Sequence, residues 1–458
     1  MNLPKSYEQD PRETSRRYGL RDGACQAITQ GSGEQYLSAF ALLLGASPLQ
    51  LSVLSALPQV IGTGAQLASV KVLRWFNDRK ALIRIGTAGQ ALSWLPILML
   101  PLLFPSSGPS LLIFGTALYF ACNQFTTPSW NSFIADHLDE HERGAYFARR
   151  AAIMAIMSFA ALCGAGWLLS LWQHDTFSWI GFAVIFTVAG AARWLSTVAL
   201  GKVDDVHPTP HLDASPSFRR FLAGTSLSFR RFLMFSGAMH AAVLVAAPFF
   251  VLYMLRDLHL AYWQYGAWLA AGILGQLVTV NAWGRFGDRY GNKALLTVTG
   301  FMVPFLPMLY LASTKLVFLF AVNFLGGVTW GGLALGLQNY VFDAVRPEDR
   351  AKAVATYSTI NAMGWCIGAF IGSWLVSALP SRITFGQFAI ALASNLPLVF
   401  FCSGVLRLAV SWMFIRSFHE ARAVEHAPFA QLVWELPLLK PLGTFWPARS
   451  GSAGSGRR

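Results

Sequence analysis

Glu34 is an acid set in an apolar stretch, about one helical turn beyond Gln30 and two beyond Gln26, with Gly33 before it and Gln35 after it. A charged group at mid-bilayer costs at least about 2.5–3.5 kcal/mol on insertion scales, so a carboxylate kept there faces a cavity or a partner. Its chemistry would be reversible proton binding. His240 is the histidine set deepest in an apolar stretch of the second half, and would assist that proton or bind a solute. The blander reading leaves Glu34 bonded to a neighbouring Gln, Ser or Thr and His240 to a helix carbonyl. The amides Gln35, Gln66, Asn123, Gln124, Asn131, Gln276, Asn281 and Asn361 can read hydroxyls and amides on a solute. Trp130 and Trp330 can stack on a sugar or aromatic ring. Taken singly, such amides are more often glue between helices.

These residues belong to a chain built for lipid. Of 458 residues, 54% are hydrophobic and 12% charged, where soluble domains carry about 25% charged. A helix needs about 20 apolar residues to cross the hydrocarbon core. Runs of that kind recur at 24–44, 49–70, 82–104, 110–136, 148–171, 177–200, 234–256, 262–282, 294–312, 316–343, 353–377 and 387–413. The pattern predicts an all-α polytopic membrane protein with twelve transmembrane helices. With the N-terminus in the cytoplasm, only Arg256, Lys315 and Arg382 of 35 Lys and Arg face outside. Arg84, Arg149, Arg150, Arg193 and Arg407 lie within spans, toward their cytoplasmic ends, and the remainder sit in inner loops or tails. This positive-inside bias places both termini in the cytoplasm. It makes anionic lipid headgroups, and not nucleic acid, the partner of the +13 net charge. Residues 1–21 are polar and basic and hold no cleavable apolar core. The five cysteines fall within spans without metal-ligand spacing, and are expected as buried thiols without a disulfide.

The chain repeats itself. Gln66-Leu67 precedes Asp78-Arg79 by 12 residues, and Gln276-Leu277 precedes Asp288-Arg289 by 12, at an offset of 210. Asp136 leads Arg143 by seven and Asp343 leads Arg350 by seven, at an offset of 207. Six spans plus six, related by an axis along the membrane normal, is a parallel repeat. The expected divisions are an N-terminal segment 1–23, a first bundle 24–200, a central loop 201–233, a second bundle 234–413 and a tail 414–458. The offsets place His240 between Gln30 and Gly33 in the other half, about one turn from Glu34, so the two could approach each other. The central loop holds Ser217–Leu222 and Ser228–Leu233, two copies of Ser-Phe-Arg-Arg-Phe-Leu 11 residues apart. That spacing is close to three helical turns and predicts a surface helix with Phe in the lipid and Arg at the headgroups. Gly364, Gly368 and Gly372 make a stripe on span eleven for close helix packing.

Between spans eight and nine the sequence runs Gly284-Arg285-Phe286-Gly287-Asp288-Arg289-Tyr290-Gly291-Asn292-Lys293. It resembles the loop signature of the major facilitator superfamily, Gly-x-x-x-Asp-Arg-x-Gly-x-(Arg/Lys), at Gly284, Asp288, Arg289, Gly291 and Lys293. The first-half copy keeps Asp78, Arg79 and Lys80, with Arg74 in place of the first Gly and the Gly-containing triplet missing. The resemblance implies two pseudo-symmetric six-helix bundles, with spans one and seven lining a central cavity. It implies alternating-access transport of a small solute, without a cofactor. It also implies an inner gate at Asp78, Arg79, Asp136, Arg143, Asp288, Arg289, Asp343 and Arg350. There Asp288 would lie near the start of span five and Asp78 near that of span eleven, while Arg79 pairs with Asp136 and Arg289 with Asp343.

Solute–proton symport is the leading version, with facilitative uniport or export as alternatives; a solute sensor and a lipid-modifying membrane enzyme are the rivals from other classes. No Gly-x-x-x-x-Gly-Lys-(Ser/Thr), His-Glu-x-x-His or Gly-x-Ser-x-Gly sequence occurs, which argues against ATP-driven pumping and hydrolysis. His137 with His141, and His207 with His211, have i, i+4 spacing but no third ligand, so no metal is expected. Span five lacks the Gly-rich, Pro-containing signature of the superfamily's drug–proton antiporters, and span four lacks the buried Arg of many proton-coupled members. The protein is expected as a monomer in a plasma membrane, a bacterial inner membrane, and not as an enzyme.

Overall fold

The computed structural model describes residues 11–76, 78–104, 107–135, 140–173, 178–203, 218–380, 382–385, 388–391, 394–422 and 424–425. The expectations for 204–217 with His207 and His211, for Asp136 and His137, and for the tail beyond 425 lie outside these residues, as do the side chains of His141 and Arg143.

The described helices group into twelve passes. The first six are Pro11–Ser32 with Leu37–Leu43, Pro48–Phe76, Arg79–Leu103, Gly108–Ala135, Glu140–Leu171 and Trp179–Gly201. The second six are Leu227–Leu244 with Phe250–Leu252, Tyr262–Tyr290, Asn292–Met302 with Phe305–Leu309, Leu316–Asp343, Arg350–Ala378 and Leu396–Phe414. Among the described residues, nine passes are long and apolar enough to cross a membrane. The other three are spans one, four and eight. These hold Glu34 with its glutamines, then Asn123, Gln124 and Asn131, then Gln276 and Asn281. Their lower apolarity thus coincides with the candidate cavity residues.

Three boundaries differ from the sequence expectation. Span one starts at Pro11 rather than near 24. Of the two acids in the polar stretch 11–23, Glu13 pairs with Arg17 one turn on at the surface, and Asp22 is buried against arginines of other spans. The second Ser-Phe-Arg-Arg-Phe-Leu copy is the start of span seven and not a surface helix. Phe229 and Phe232 are fully buried and pack on Tyr340 and Phe418 rather than lipid, while Arg230 and Arg231 are exposed. A two-residue break at Thr225-Ser226 separates them from the short helix Phe218–Gly224, which carries the first copy. Span twelve starts at Leu396 rather than 387, with Pro397 in its first turn, where a missing N–H costs nothing. Before it, Arg382–Phe385 and Phe388–Ala391 form an antiparallel hairpin with Ile383 opposite Ile390. Ile, Thr and Phe favour strand here, and the all-α expectation missed this pair.

Spans one and seven break at corresponding places. A 3-10 turn Glu34–Tyr36 follows Gly33, and a 3-10 turn Ala247–Phe249 contains Pro248, which cannot continue the helix hydrogen-bonding. These turns are 213 residues apart. His240 therefore matches Ala27, about two turns from Glu34 rather than one.

In the first half, span one packs on five and six, and spans two and three on four. In the second, seven packs on eleven and twelve, and eight and nine on ten. The halves meet where span two crosses eleven and span five crosses eight. Gly364, Gly368 and Gly372 carry span eleven onto the backbone carbonyls of Gly237, Ala241 and Val245 in span seven. This is the close-packing role expected of them.

The halves are joined at one end only. At the end far from the chain termini, one apolar core runs through both halves, from Tyr36, Phe40 and Trp94 to Met254, Trp268 and Phe400. At the terminal end the cores are separate. Ile83, Phe133 and Tyr146 belong to one half, and Phe232, Leu337 and Phe418 to the other.

Gly368→Val should destabilise by about 1–3 kcal/mol through overpacking, since a Cβ would sit 2.0 Å from the Ala241 carbonyl. Gly164→Val, with no atom within 4 Å of its added Cβ, should be near neutral when both are melted in detergent.

Candidate functional site

In the first half the Gly33 break turns the Glu34 carboxylate toward span four, where the Tyr119 hydroxyl donates a short hydrogen bond to it. The break needs glycine, because a Cβ would meet the Trp94 ring at 2.5 Å. Trp94 in turn lies edge-on to Tyr119, with ring centroids 5.1 Å apart. Toward the terminal end, Asp22 anchors a buried network. Its carboxylate faces Arg150 at 3.1 Å and Arg193 at 3.5 Å, and accepts from Trp130 Nε1 at 3.1 Å and Ser196 Oγ at 2.7 Å. Arg193 also donates to Gln90 at 2.6 Å. Arg150 stacks over the Trp130 ring at 4.1 Å. Spans one, three, four, five and six are tied together through one acid.

In the second half His240 sits with Nδ1 2.8 Å from the Ser236 carbonyl, and beside Trp365. The Ser236 hydroxyl donates to Asn361 at 2.8 Å. His240 and Trp330 line a cavity of about 360 Å³ with Gln338 and Tyr357. A second cavity, of about 330 Å³, collects Gln35 from the first half with Gln276, Asn323, Trp330 and Arg407 from the second.

The candidates therefore converge only in part. Glu34 and His240 do not meet: each is held within its own half, by Tyr119 and by the Ser236 carbonyl. Gln35, Gln276 and Trp330 come together, and Trp330 borders both cavities. Trp130 is committed to Asp22 and Arg150. Asn361 is buried glue between spans eleven and seven. Gln124 packs against Gly62 of span two. Gln66 and Asn123 are half-buried, and Asn131 and Asn281 are exposed; none of these four lines either cavity.

The signature loop is arranged differently from its expected pairing. Asp78 is exposed and caps its own helix, accepting from Ala81 N at 2.8 Å, rather than reaching span eleven. Arg79 is fully buried, with Nη1 3.4 Å from Ser132 Oγ and its guanidinium over Phe133. Its expected partner Asp136 lies outside the described residues. Asp288 and Arg350 are exposed and make no hydrogen bond or ion pair to the described residues. Arg289 and Asp343 do not pair with each other: Arg289 bonds Glu425 at 2.8 Å, and Asp343 bonds Arg422 at 2.8 Å. Asn292 donates to Asp343 at 2.6 Å. Glu420 accepts from Lys293 N at 2.7 Å and so caps span nine. Gly291 has φ +89°, and a Cβ there would strike the Glu420 carboxylate at 2.2 Å. A side chain there would be strained at that φ and would displace the Glu420 carboxylate from its cap, whereas Gly284 has open space around it.

Residues 232–441, a little under half of the chain, match the sequence profile of the major facilitator superfamily. The whole chain also superposes on solved members of that fold. Against the nucleoside transporter NupG the TM-score is 0.70 at 12% identity, covering 90% of this chain and 100% of that one. The second half of the chain is thus similar in sequence to the major facilitator superfamily, and the chain shares the fold of these solved transporters. A D-xylose–proton symporter gives a TM-score of 0.64 at 12% identity, covering 90% of this chain and 99% of that one. Among curated relatives, a probable peptide/nitrate transporter of Arabidopsis thaliana is 28% identical over 132 residues, 28% of this chain and 27% of its own length. Multidrug resistance protein 1 of Bacillus subtilis is 27% identical over 132 residues, 29% of this chain and 34% of that protein. The match thus spans about a third or less of the curated relatives. The names of these similar proteins are those of transporters.

Three residues of the site escape sequence reading. Tyr119 is one aromatic among many in an apolar span. Asp22 lies in a segment whose composition reads as solvent-exposed. Arg407 was placed in span twelve but given no role. The duplication does mark it, since Arg193 precedes it by 214 residues.

Asp22→Asn leaves two guanidinium groups without a counter-charge and should cost about 3–5 kcal/mol. Asp78→Ala removes an exposed cap and should cost about 1 kcal/mol. Chemical unfolding in detergent ranks the two.

Proposed function

We propose that the chain is a secondary transporter that carries a small solute across a plasma membrane by alternating access, with both termini in the cytoplasm and the protein acting as a monomer. The observation that carries this reading is the joining of the halves by one apolar core at the far end and their separation at the terminal end. With the basic loops in the cytoplasm, that arrangement is an inward-facing state. Rocking the halves about the span two–eleven and five–eight crossings would exchange it for an outward-facing one. Solute binding would bias the balance between the two by its difference in affinity.

Coupling is assigned to Glu34. Its carboxyl is enclosed by Trp94 and Tyr119 beside the break in span one, where rocking of the halves would change its access to water. Tyr119 would hold the carboxylate and release it on protonation. His240, bonded to a carbonyl in the other half, is assigned to solute contact rather than to the proton. The names of the relatives point to solutes as different as nucleosides, sugars and drugs, so the solute class is argued below from this chain's own cavity.

A ligand-stabilisation screen over sugars, amino acids, organic acids and drugs supplies a solute for flux in proteoliposomes. A pH gradient, acid outside, should drive accumulation by the parent protein. Glu34→Gln should abolish that accumulation while keeping exchange of labelled for unlabelled solute, and Tyr119→Phe should weaken it. Undiminished proton-driven uptake by Glu34→Gln would leave uniport as the mechanism, and no flux of any stabilising solute would remove the transport reading.

A further inference from the structure

Arg193 of span six and Arg407 of span twelve occupy matching places in the two halves, 214 residues apart. Both are buried, each 3% exposed. Arg193 is neutralised by Asp22 and further held by Gln90 and Ser196. Arg407 has no acid. Its Nε donates to Ser403 Oγ at 3.1 Å, and one terminal nitrogen lies 3.4 Å from the Val303 carbonyl. Its other terminal nitrogen makes no hydrogen bond to a described residue, and Arg407 lines the 330 Å³ cavity. At the same offset of 214, the residue matching Asp22 is Ser236, whose hydroxyl is already committed to Asn361. The repeat has kept the cation and lost the anion.

A buried cation without a counter-charge is expensive in a membrane, and residues of that kind mark ligand pathways. The 330 Å³ cavity in front of Arg407 is walled by Phe250, Trp268, Tyr310 and Trp330, with Asn323 on one side and Gln35 of the first half across it. One guanidinium suits one carboxylate, through paired charge-assisted hydrogen bonds. The aromatic walls suit an apolar body.

We propose that this cavity is a solute site for a small monocarboxylate with an aromatic or aliphatic body, the carboxylate on Arg407 and the body against Phe250, Trp268 and Trp330. Gln35 adds the one contact from the opposite half, so an occupant touches both moving parts. The assignment of this ligand as cargo rests on the transport reading; its binding does not.

The test is an equilibrium titration of the full-length protein in detergent, read by quenching of tryptophan fluorescence. The probes are benzoate, 3-phenylpropionate and octanoate, each against its neutral amide. At least one acid should quench saturably, and its amide should bind at least about tenfold more weakly. Arg407→Gln should lose acid binding by a similar factor, and Arg407→Lys should lose less. Ser403→Asp supplies the counter-charge from within, as Asp22 does for Arg193, and should melt no lower than the parent yet no longer bind the acid. Equal binding of acid and amide, undiminished binding by Arg407→Gln or by a folded Ser403→Asp, or no saturable quenching by any of the three acids overturns the proposal. Binding without flux would keep the site and remove transport; flux of another solute without acid binding would do the reverse.

Discussion

Inside a bilayer a charge has no water to fall back on, so each buried ionic group must be answered from within the protein or by a ligand. The Asp22 network is the first-half answer. One carboxylate holds two guanidinium groups, an indole and a hydroxyl drawn from three other helices. Those helices cannot shift independently without breaking a buried ion pair, which fixes the first bundle as a rigid unit. Among the described residues the second bundle shows no such acid, and the small residues of span eleven bring its backbone close against span seven. Two ways of making a rigid body thus lie on either side of one duplicated plan.

Contact between the halves is of a different kind. The shared core at the far end is aromatic and apolar, and the cores at the terminal end do not touch. Apolar contact is non-directional, so it can be made and unmade at either end without leaving a polar group stranded. The candidate residues Glu34 and Gln35 lie at the break that follows Gly33 in span one, and span seven has its own break at Pro248.

Much of this was legible in the residues. Apolar runs, loop charge and landmark spacing yielded twelve passes and the six-plus-six repeat, because membrane-length hydrophobicity and duplication are both written linearly. The signature at Gly284–Lys293 located the loop, and Gly291 has the positive φ that such a glycine implies. Pairing was not legible. Tyr119 meets Glu34 across 85 residues and Ser196 meets Asp22 across 174, and nothing local marks either contact. The gate acids and arginines were matched to each other across the loop, but the tail intervenes and takes both. Segment 11–23 reads as soluble only because its charges are counted without their partners.

The cap on span nine has a consequence for how the protein is made. In the first half, Asp78 closes the start of span three from the residue next door, as soon as both are synthesised. In the second, Glu420 must close the start of span nine from 127 residues downstream. Ribosomes deliver that residue only after span twelve. That cap on span nine can therefore form only once Glu420 has been made, and until then the free N–H groups at the start of span nine must be met by water.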